Sequence, residues 1–324
     1  GSEEAVVNLA SQWARLGYNV TVYNSCGPEP VTMDGVMYKP FWMFNYRDAT
    51  DYLICWRHPR LLDYDLNAKK IFVDLHDVVQ EGEFTEKRLA KIDKIFVKTQ
   101  FHRSLFPNIP DDKFAIIPNG QDFGLFDQQV EKDQYLMVNT SSPDRSMDVL
   151  PELFARVKEK VPQAKLKWVY GFDNFKTWHA NDPEKLEWMN QTIKKMEEVG
   201  IENLGRVTQK ETARLLLEAN IFAYPTDFAE IDCISAKKAQ AAGAIPVVTD
   251  FGALDESVQY GIKVHSPKTK ENWSPAFKFT FGLEDKRAQD EWVEACVKVL
   301  TSPMETRSEM KAWTEKFRWE TIAK

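Results

Sequence analysis

Residues 221–249 read IFAYPTDFAEIDCISAKKAQAAGAIPVVT, and this stretch decides the fold. Its first four residues are apolar on both faces and favour a buried strand. Residues 235–242 favour a helix that stops at Gly243, and residues 244–249 favour a second buried strand. Strands without a polar face are typical of parallel sheets covered on both sides. The stretch therefore predicts a strand–helix–strand unit of an α/β domain.

The same alternation continues outward along the chain. The predicted strands are 18–23, 52–56, 71–75, 95–97, 114–117, 135–138, 166–170 and 201–204, and the predicted helices are 3–16, 147–161, 183–199, 211–219, 285–300 and 304–317. The pattern runs through strands and helices twice, which favours two α/β domains. We predict Rossmann-like, doubly wound domains at 1–128 and 129–304 that face a cleft, with a helix at about 305–324 that packs back on the first.

Length and composition agree with two globular domains. The chain has 324 residues, of which 43% are hydrophobic and 28% charged, and this excludes a disordered chain, a collagen and a coiled-coil rod. No run of 18 apolar residues and no basic, apolar leader is present, so we expect no transmembrane segment and a cytoplasmic location. The four cysteines lie far apart and favour reduced thiols over disulfides or a zinc site.

The charge of the chain argues against nucleic-acid binding. The formal net charge is −7, and acidic residues outnumber basic ones in both halves. A basic stripe could touch an anionic surface, but a solvated helix face leading into a strand is the favoured interpretation. The stripe consists of Lys87, Arg88, Lys91, Lys94 and Lys98. We therefore expect no nucleic-acid partner.

Polar residues that follow buried strands are the candidates for a site, because ligands of such folds bind beyond the carboxyl ends of the strands. Glu230 and Asp232 lie between a strand and a helix, and the backbone N–H groups near Ile231 would face a phosphate or sugar hydroxyls at the helix N-terminus. Simple helix capping by the two carboxylates is the alternative. Arg145 follows the strand at 135–138 and could hold a diphosphate bidentately, unless it is an exposed surface residue.

His76 stands at the end of a buried strand in the sequence VDLHD. A lone histidine is usually structural, but its position at the strand end, followed by Asp77, favours a function. The chain has no G-x-G-x-x-G after a strand and no G-x4-G-K-[ST], which excludes the usual dinucleotide and P-loop sites. A metal site at Asp63-Tyr64-Asp65 is disfavoured, and the other histidines lack ligand spacing, so we predict no bound metal and no resident cofactor.

These residues together resemble a family-4 retaining glycosyltransferase of the GT-B fold. The resemblance rests on Gly1-Ser2-Glu3 with Leu9-Ala10 and Gly17-Tyr18-Asn19-Val20, on Ile116-Ile117-Pro118-Asn119-Gly120, and on Tyr224 to Glu256 with Ala241-Ala242-Gly243-Ala244-Ile245-Pro246-Val247-Val248. It implies transfer of a sugar from a nucleotide-sugar donor to a glycan or another small acceptor, with retention and without metal.

The resemblance also assigns roles to residues. Glu230 matches the first glutamate of the family's E-x7-E motif, near the donor sugar, while the second position is Lys238, which cannot accept hydrogen bonds from ribose. Lys238 would instead reach a phosphate, pair with Asp232 or face solvent. The family's R-x4-K pair maps to Thr140 and Arg145. His76 matches a donor-sugar contact. The remaining assigned residues are Gly1 and Ser2 in the donor loop and Gly171, Arg206 and Val207 in the base pocket.

Two alternatives to a glycosyltransferase remain open. Lys238 and Thr140 favour a non-catalytic nucleotide-sugar or glycan-binding protein on the same scaffold, and a sugar-nucleotide epimerase shares the architecture. The aromatic segment 39–46 would pack under a loop, line an acceptor site or touch lipid, so peripheral membrane contact stays open. In the family the opening loop follows a first strand, and residues 317–324 stop within a helix-like pattern that usually continues, so we expect a chain truncated at both ends. Such a chain would have a gap in its first sheet and unpaired strand edges.

Overall fold

A computed structural model describes residues 2–274, 278–302 and 307–324. The chain divides into two compact units, which are Gly1–Gln121 with Lys316–Lys324 (the first unit) and Asp122–Glu315 (the second unit). The sequence pattern placed the division after residue 128. All four cysteines are free thiols.

The second unit is built on one parallel sheet of six strands. Its strands are β8 (Asp133–Asn139), β9 (Lys165–Trp168), β10 (Ile201–Asn203), β11 (Ala219–Tyr224), β12 (Ile245–Thr249) and β13 (Ile262–Val264), in the order β10-β9-β8-β11-β12-β13. Chain order runs outward from β8 to β10 and then resumes on the other side with β11. The switch point of the fold therefore lies between β8 and β11, and sheets of this type bind ligands beyond the strand ends at such a point.

Alternate residues of these strands enter two cores. Ile221 and Ala223 of β11 belong to one hydrophobic cluster, and Phe222 and Tyr224 belong to the other. Successive side chains of a strand point to opposite faces, so both faces of the sheet are covered. The covering helices are α4 (Leu150–Lys160), α5 (Asp173–Trp178), α6 (Pro183–Val199), α7 (Gln209–Glu218), α8 (Ile234–Ala241), α9 (Leu254–Ser257), α10 (Lys286–Thr301) and α11 (Arg307–Thr314).

The first unit contains two separate sheets. The smaller one pairs β1 (Thr21–Asn24) in parallel with β3 (Val36–Pro40), and β3 in an antiparallel hairpin with β2 (Val31–Met33). The larger is parallel, in the order β4 (Thr50–Trp56), β5 (Ala68–Asp74), β6 (Lys94–Val97) and β7 (Phe114–Ile116). Among the described residues no ladder joins the two sheets, so β1 and β4 each have an edge without a strand partner.

Short helices complete the first unit. They are α1 (Ser2–Arg15), α2 (Glu86–Leu89), α3 (Gln100–Ser104) and α12 (Trp319–Ile322). Helix α12 packs against α1 through Trp319, and the indole of Trp13 donates to the carbonyl of Ala323 at 3.1 Å. The Trp319 ring lies so close to Gly120 that a Cβ atom there would overlap it. This close approach explains why glycine ends the stretch Ile116–Gly120.

The aromatic segment 39–46 differs from the favoured expectation of packing under a loop. Phe41, Trp42 and Met43 form a single 3-10 turn after β3, and the side chains of Phe41 and Trp42 are about 60% exposed. Phe44, the next residue, is half-buried and packs edge-on against Tyr23 at 5.1 Å. The prediction of core packing is wrong for the three residues of this turn, because the turn carries them past the end of the small sheet.

Candidate functional site

The loop after β8 is fixed by the side chain of Asn139. Its amide donates to the carbonyl of Ala223 at 2.8 Å and to Ser146 Oγ at 3.1 Å, and its Oδ1 accepts the backbone N–H of Ser141. These bonds tie β8 to β11 at the switch point of the sheet. They hold residues 141–146 as a short, ordered turn that carries Arg145.

Glu230 lies in the loop between β11 and α8. Tyr224, the last residue of β11, donates its hydroxyl to Glu230 Oε1 at 2.6 Å. Burial raises the pKa of Glu230, and the nearby Arg145 guanidinium and the Tyr224 hydroxyl oppose that rise. The backbone of Glu230 is held too, because its carbonyl accepts the N–H of Ala253 at 2.7 Å. The structure thus positions one half-buried carboxylate beside a cation at the strand ends.

Arg145 lies flat on an aromatic ring. Its guanidinium carbon is 3.2 Å from the centroid of Phe228 and 6.0 Å from that of Phe281, and Nη1 pairs with Asp144 at 3.0 Å. A guanidinium on an aromatic face keeps its in-plane N–H donors free for an anion. The Arg145 side chain is 25% exposed, so part of it is open to a ligand.

The aromatic residues around Arg145 escaped the sequence analysis. Phe228, Trp273 and Phe281 contact one another with ring centroids 5.2–6.0 Å apart. The chain reaches this place because Thr226 and Gly282 form an isolated antiparallel bridge and Thr226 Oγ1 donates to the carbonyl of Arg145 at 2.6 Å. Phe281 is 57 positions beyond Tyr224, so no local sequence pattern predicts that it lies near Arg145.

Asp232 and Lys238 are engaged within the second unit. Asp232 forms a buried ion pair with Lys237, whose ammonium is 2% exposed, and accepts a 3.3 Å hydrogen bond from Ser257. Lys238 is 7% exposed and donates to Gln209 Oε1 at 2.8 Å. Asp232 thus pairs with the lysine that precedes Lys238, and the burial of Lys238 contradicts the alternative in which it faces solvent. Ile231 is buried beside them.

The three residues assigned to a base pocket lie on two neighbouring loops. Gly171 follows β9 with φ near +73°, and a Cβ atom there would come within 2.9 Å of the Gly205 Cα atom. Tyr170 donates its N–H to the Gly205 carbonyl at 2.9 Å. The structure therefore brings Gly171 next to Arg206, which is exposed, and Val207 follows as the next residue. Only glycine fits both the conformation and the contact at position 171.

In the first unit, His76 follows the end of β5. Its ring stacks on Trp56 with centroids 4.2 Å apart, its side chain is only 3% exposed, and Nε2 lies 3.4 Å from Asp74 Oδ2. Burial lowers the pKa of His76, which keeps the ring neutral near pH 7. Asp77 forms a bidentate pair with Arg57, a residue in the left-handed region at φ 70°.

Ser2 begins α1, whereas Gly1 lies outside the described residues. The basic stripe is partly buried: Arg88 pairs with Asp63 and Glu83, and Lys98 is 2% exposed and pairs with Asp74. The interpretation of the stripe as a solvated face is wrong for Lys98, because a carboxylate on the adjacent strand neutralises it inside the protein.

No metal site emerges in the described ranges. No group of three or more histidine, cysteine, aspartate or glutamate side chains there could hold an ion. Asp63, the first residue of the candidate metal motif, instead accepts two hydrogen bonds from Arg88 at 2.8 and 2.7 Å.

Solved structures of glycosyltransferases share this architecture. A glycosyltransferase from Rickettsia africae matches with a TM-score of 0.71 over 99% of this chain and 92% of its own, at 11% identity. Sucrose-phosphate synthase from Thermosynechococcus elongatus matches with a TM-score of 0.65 over 100% and 91%, at 14% identity. The chain has the GT-B fold.

A third neighbour carries ligands. A S. aureus TarM mutant, in complex with fondaparinux, α-GlcNAc-glycerol and UDP, matches with a TM-score of 0.57 and 14% identity over 84% of this chain. The match spans 53% of the TarM chain, about half of its length.

Searches by sequence gave no counterpart to these structures. No protein-family model matches the chain, and no curated protein matches it. Within the described residues, no helix is both long and apolar enough to cross a membrane.

Proposed function

We propose that the protein is a glycosyltransferase that moves a sugar from a nucleotide-sugar donor to a glycan or another small acceptor. The observation that carries this proposal is the position of two groups at the switch point of the second unit: Arg145 lies on the turn after β8, and Glu230 lies in the loop after β11, where the charge of Arg145 acts on its carboxylate. The GT-B fold supports the proposal. Because the similar TarM structure contains UDP, UDP-sugars are the first donors to test.

Arg145 would bind the diphosphate of the donor. Its guanidinium is oriented by Phe228, and its ion pair with Asp144 engages Nη1, so other N–H groups would bind a phosphate. Negative charge grows on the diphosphate as the glycosidic bond breaks, so a fixed cation stabilises the transition state more than the ground state. This stabilisation supports a reaction that needs neither metal nor resident cofactor.

Glu230 would bind the donor sugar near the reacting carbon. Its Oε1 is occupied by Tyr224, which leaves Oε2 as an acceptor for sugar hydroxyls. The N-terminus of α8 follows in the chain. The Cys233 N–H there already donates to Ser257 Oγ at 3.0 Å, so it is the positive end of the helix dipole that would favour a phosphate. We include retention of the anomeric configuration and membership of family 4 in the proposal, on the strength of the sequence resemblance.

The remaining assignments follow the same resemblance. Gly171, Arg206 and Val207 would contact the base, and the close contact of the loops at Gly171 supports this role. Lys238 would act near the nucleotide ribose through Gln209, and His76 would accept a hydroxyl of the sugar. Gly1, Ser2 and Asp232 stay predicted contributors to the phosphate site, with Asp232 acting through its ion pair with Lys237.

A turnover assay tests the proposal. The purified chain is incubated with a panel of nucleotide sugars, UDP-glucose and UDP-GlcNAc first, and release of nucleoside diphosphate is followed with and without sugar acceptors. We expect turnover that falls at least a hundredfold in Glu230→Gln, the scale of one lost transition-state interaction. Glu202→Gln, an exposed change on β10, is the matched control.

The same assay separates the enzyme from a non-catalytic binding protein. Lys238, which is buried and donates to Gln209 at the position where the resembling family has a glutamate, favours the binding protein. Nucleotide binding without turnover for any donor of the panel would support that alternative. If the protein neither binds a nucleotide nor turns over any donor, both the enzyme and the binding protein are contradicted.

A further inference from the structure

Four titratable residues form a continuous chain of contacts at the carboxyl end of the parallel sheet of the first unit. Asp74 ends β5, Lys98 follows β6, His76 comes two residues after Asp74, and His102 lies on α3. The side chains of Asp74, His76 and Lys98 are only 2–3% exposed, and His102 is fully buried. A buried ion pair with histidines on both sides is costly to desolvate, so its presence calls for a specific account.

The contacts link Lys98 to Asp74 on one side and to His102 on the other, and Asp74 to His76. Lys98 Nζ donates to Asp74 Oδ1 at 2.5 Å, and the other carboxylate oxygen, Oδ2, lies 3.4 Å from His76 Nε2. The backbone N–H of Lys98 donates to His102 Nδ1 at 3.2 Å, which fixes the start of the loop that carries the lysine. The His76 ring is held from one face by Trp56.

The position of the carboxylate determines the tautomer of His76. A neutral imidazole has one N–H donor and one acceptor nitrogen. Nε2 forms no hydrogen bond with the described residues, and if it carried the lone pair it would face the negative charge of Asp74 at 3.4 Å. A proton on Nε2 turns that repulsion into attraction, so the Nε2–H form is favoured and Nδ1 becomes the acceptor.

We propose that Asp74 and Lys98 are positioning residues, which hold His76 as its Nε2–H tautomer so that Nδ1 accepts a hydroxyl group of a bound sugar. Lys98 keeps Asp74 ionised and aimed at the ring, and Asp74 then fixes the proton of His76. The identity of the sugar ligand rests on the proposed function, whereas the tautomer is a property of the free protein.

The charges around the ring agree with this arrangement. Although burial opposes its charge, Lys98 and His76 hold the pKa of Asp74 below its ordinary value, while burial lowers that of His76. The other charged group that acts on His76 is Asp77, and Arg57 neutralises it through two hydrogen bonds of 2.5 and 2.9 Å. Asp74 is therefore the carboxylate that controls the ring.

Nitrogen-15 NMR of the histidine side chains tests the proposal directly. Long-range proton–nitrogen spectra at pH 7 distinguish the two neutral tautomers and the charged ring, and His76→Gln assigns the His76 signals. We expect the wild type to show the Nε2–H form. Asp74→Asn should change the His76 signals to the Nδ1–H form or to a mixture, and Asp51→Asn, which breaks the exposed Asp51–Lys69 pair of the same sheet, should leave them unchanged.

A double variant covers the case in which single changes prevent folding. Asp74→Asn combined with Lys98→Met removes both buried charges together, which is much less disruptive than leaving one unpaired. We expect this folded protein to lose the Nε2–H preference as well. A charged or Nδ1–H His76 in the wild type, or an Nε2–H ring that persists in the double variant, would overturn the proposal. The measurement needs no ligand, so its result stands apart from the test of the proposed function.

Discussion

The two units of the molecule solve the same architectural problem in different ways. The second unit has one six-stranded parallel sheet with a large core on each face, whereas the first unit divides its strands between a three-stranded and a four-stranded sheet with three smaller cores. Apolar area buried per unit is the main source of stability, so the second unit has the larger reserve.

The candidate sites of the two units differ in how far their side chains are exposed. In the second unit, Arg145 and Glu230 stand at the switch point of a continuous sheet, and Arg145 is 25% exposed. In the first unit, His76 is enclosed by Trp56 and by the buried ion pair of Asp74 and Lys98. In the second unit the candidate groups thus lie at the edge of one continuous sheet and remain partly exposed, whereas the candidate histidine of the first unit is surrounded by buried charges.

The largest expected change in stability comes from truncating one buried phenylalanine in the core of each unit. Phe106 of the first unit and Phe154 of the second are both fully buried phenylalanines. Each change to alanine should cost about 3–5 kcal/mol. Hydrogen exchange resolved by peptide should show that Phe106→Ala removes protection throughout β4–β7, whereas Phe154→Ala leaves β8–β12 folded with reduced protection. An equal loss of hydrogen-exchange protection in both units would show that the two units do not differ in stability.

A smaller effect is expected where the last helix of the chain packs inside the first unit. In Gly120→Ala the new methyl group overlaps the Trp319 ring, and such overpacking costs about 1–3 kcal/mol. Gly82→Ala is the control, since nothing lies within 4 Å of its added Cβ atom. Urea unfolding followed by tryptophan fluorescence compares the two variants. If Gly120→Ala matches the control, the packing of Trp319 does not stabilise the unit.

The fold was far more predictable from the sequence in the second unit than in the first. Strand β11 is apolar on both faces, so its pattern is unambiguous, and the predicted helix 183–199 coincides with α6. The hairpin of β2 and β3 was missed, because all three residues of β2 are exposed and carry no periodic signal. Short surface strands are defined by their partner and not by their own composition.

The sites show the same limit for long-range contacts. Glu230, Arg145 and His76 were found because each follows a strand, and their catalytic and binding roles stay predictions. The groups that surround them were not found. Lys98 resembles a surface lysine until its partner Asp74, 24 residues earlier, is placed beside it on the adjacent strand. Phe281 meets Arg145 only through the bridge between Thr226 and Gly282.

The smallest expected effect concerns pH and Glu230. Because burial raises the pKa of this residue above its value of about 4.3 in an unfolded chain, ionising it destabilises the folded state. The folded protein carries no such cost below about pH 4, and the full cost appears once the pH rises through the folded pKa. Glu230→Gln should therefore gain stability relative to the wild type between pH 4 and pH 7, by less than either packing change. Urea midpoints with a pH-independent difference would contradict this reading.

The central claim is that Arg145 holds the diphosphate of a nucleotide at the switch point of the second unit. Isothermal titration calorimetry with UDP measures it most directly, on the wild type, on Arg145→Ala and on the control Arg287→Ala, whose side chain is 87% exposed. We predict that UDP binds the wild type and the control equally and binds Arg145→Ala about tenfold to a hundredfold more weakly, the scale of a lost charged hydrogen bond. Equal affinity for Arg145→Ala, or no binding to the wild type, would contradict the claim.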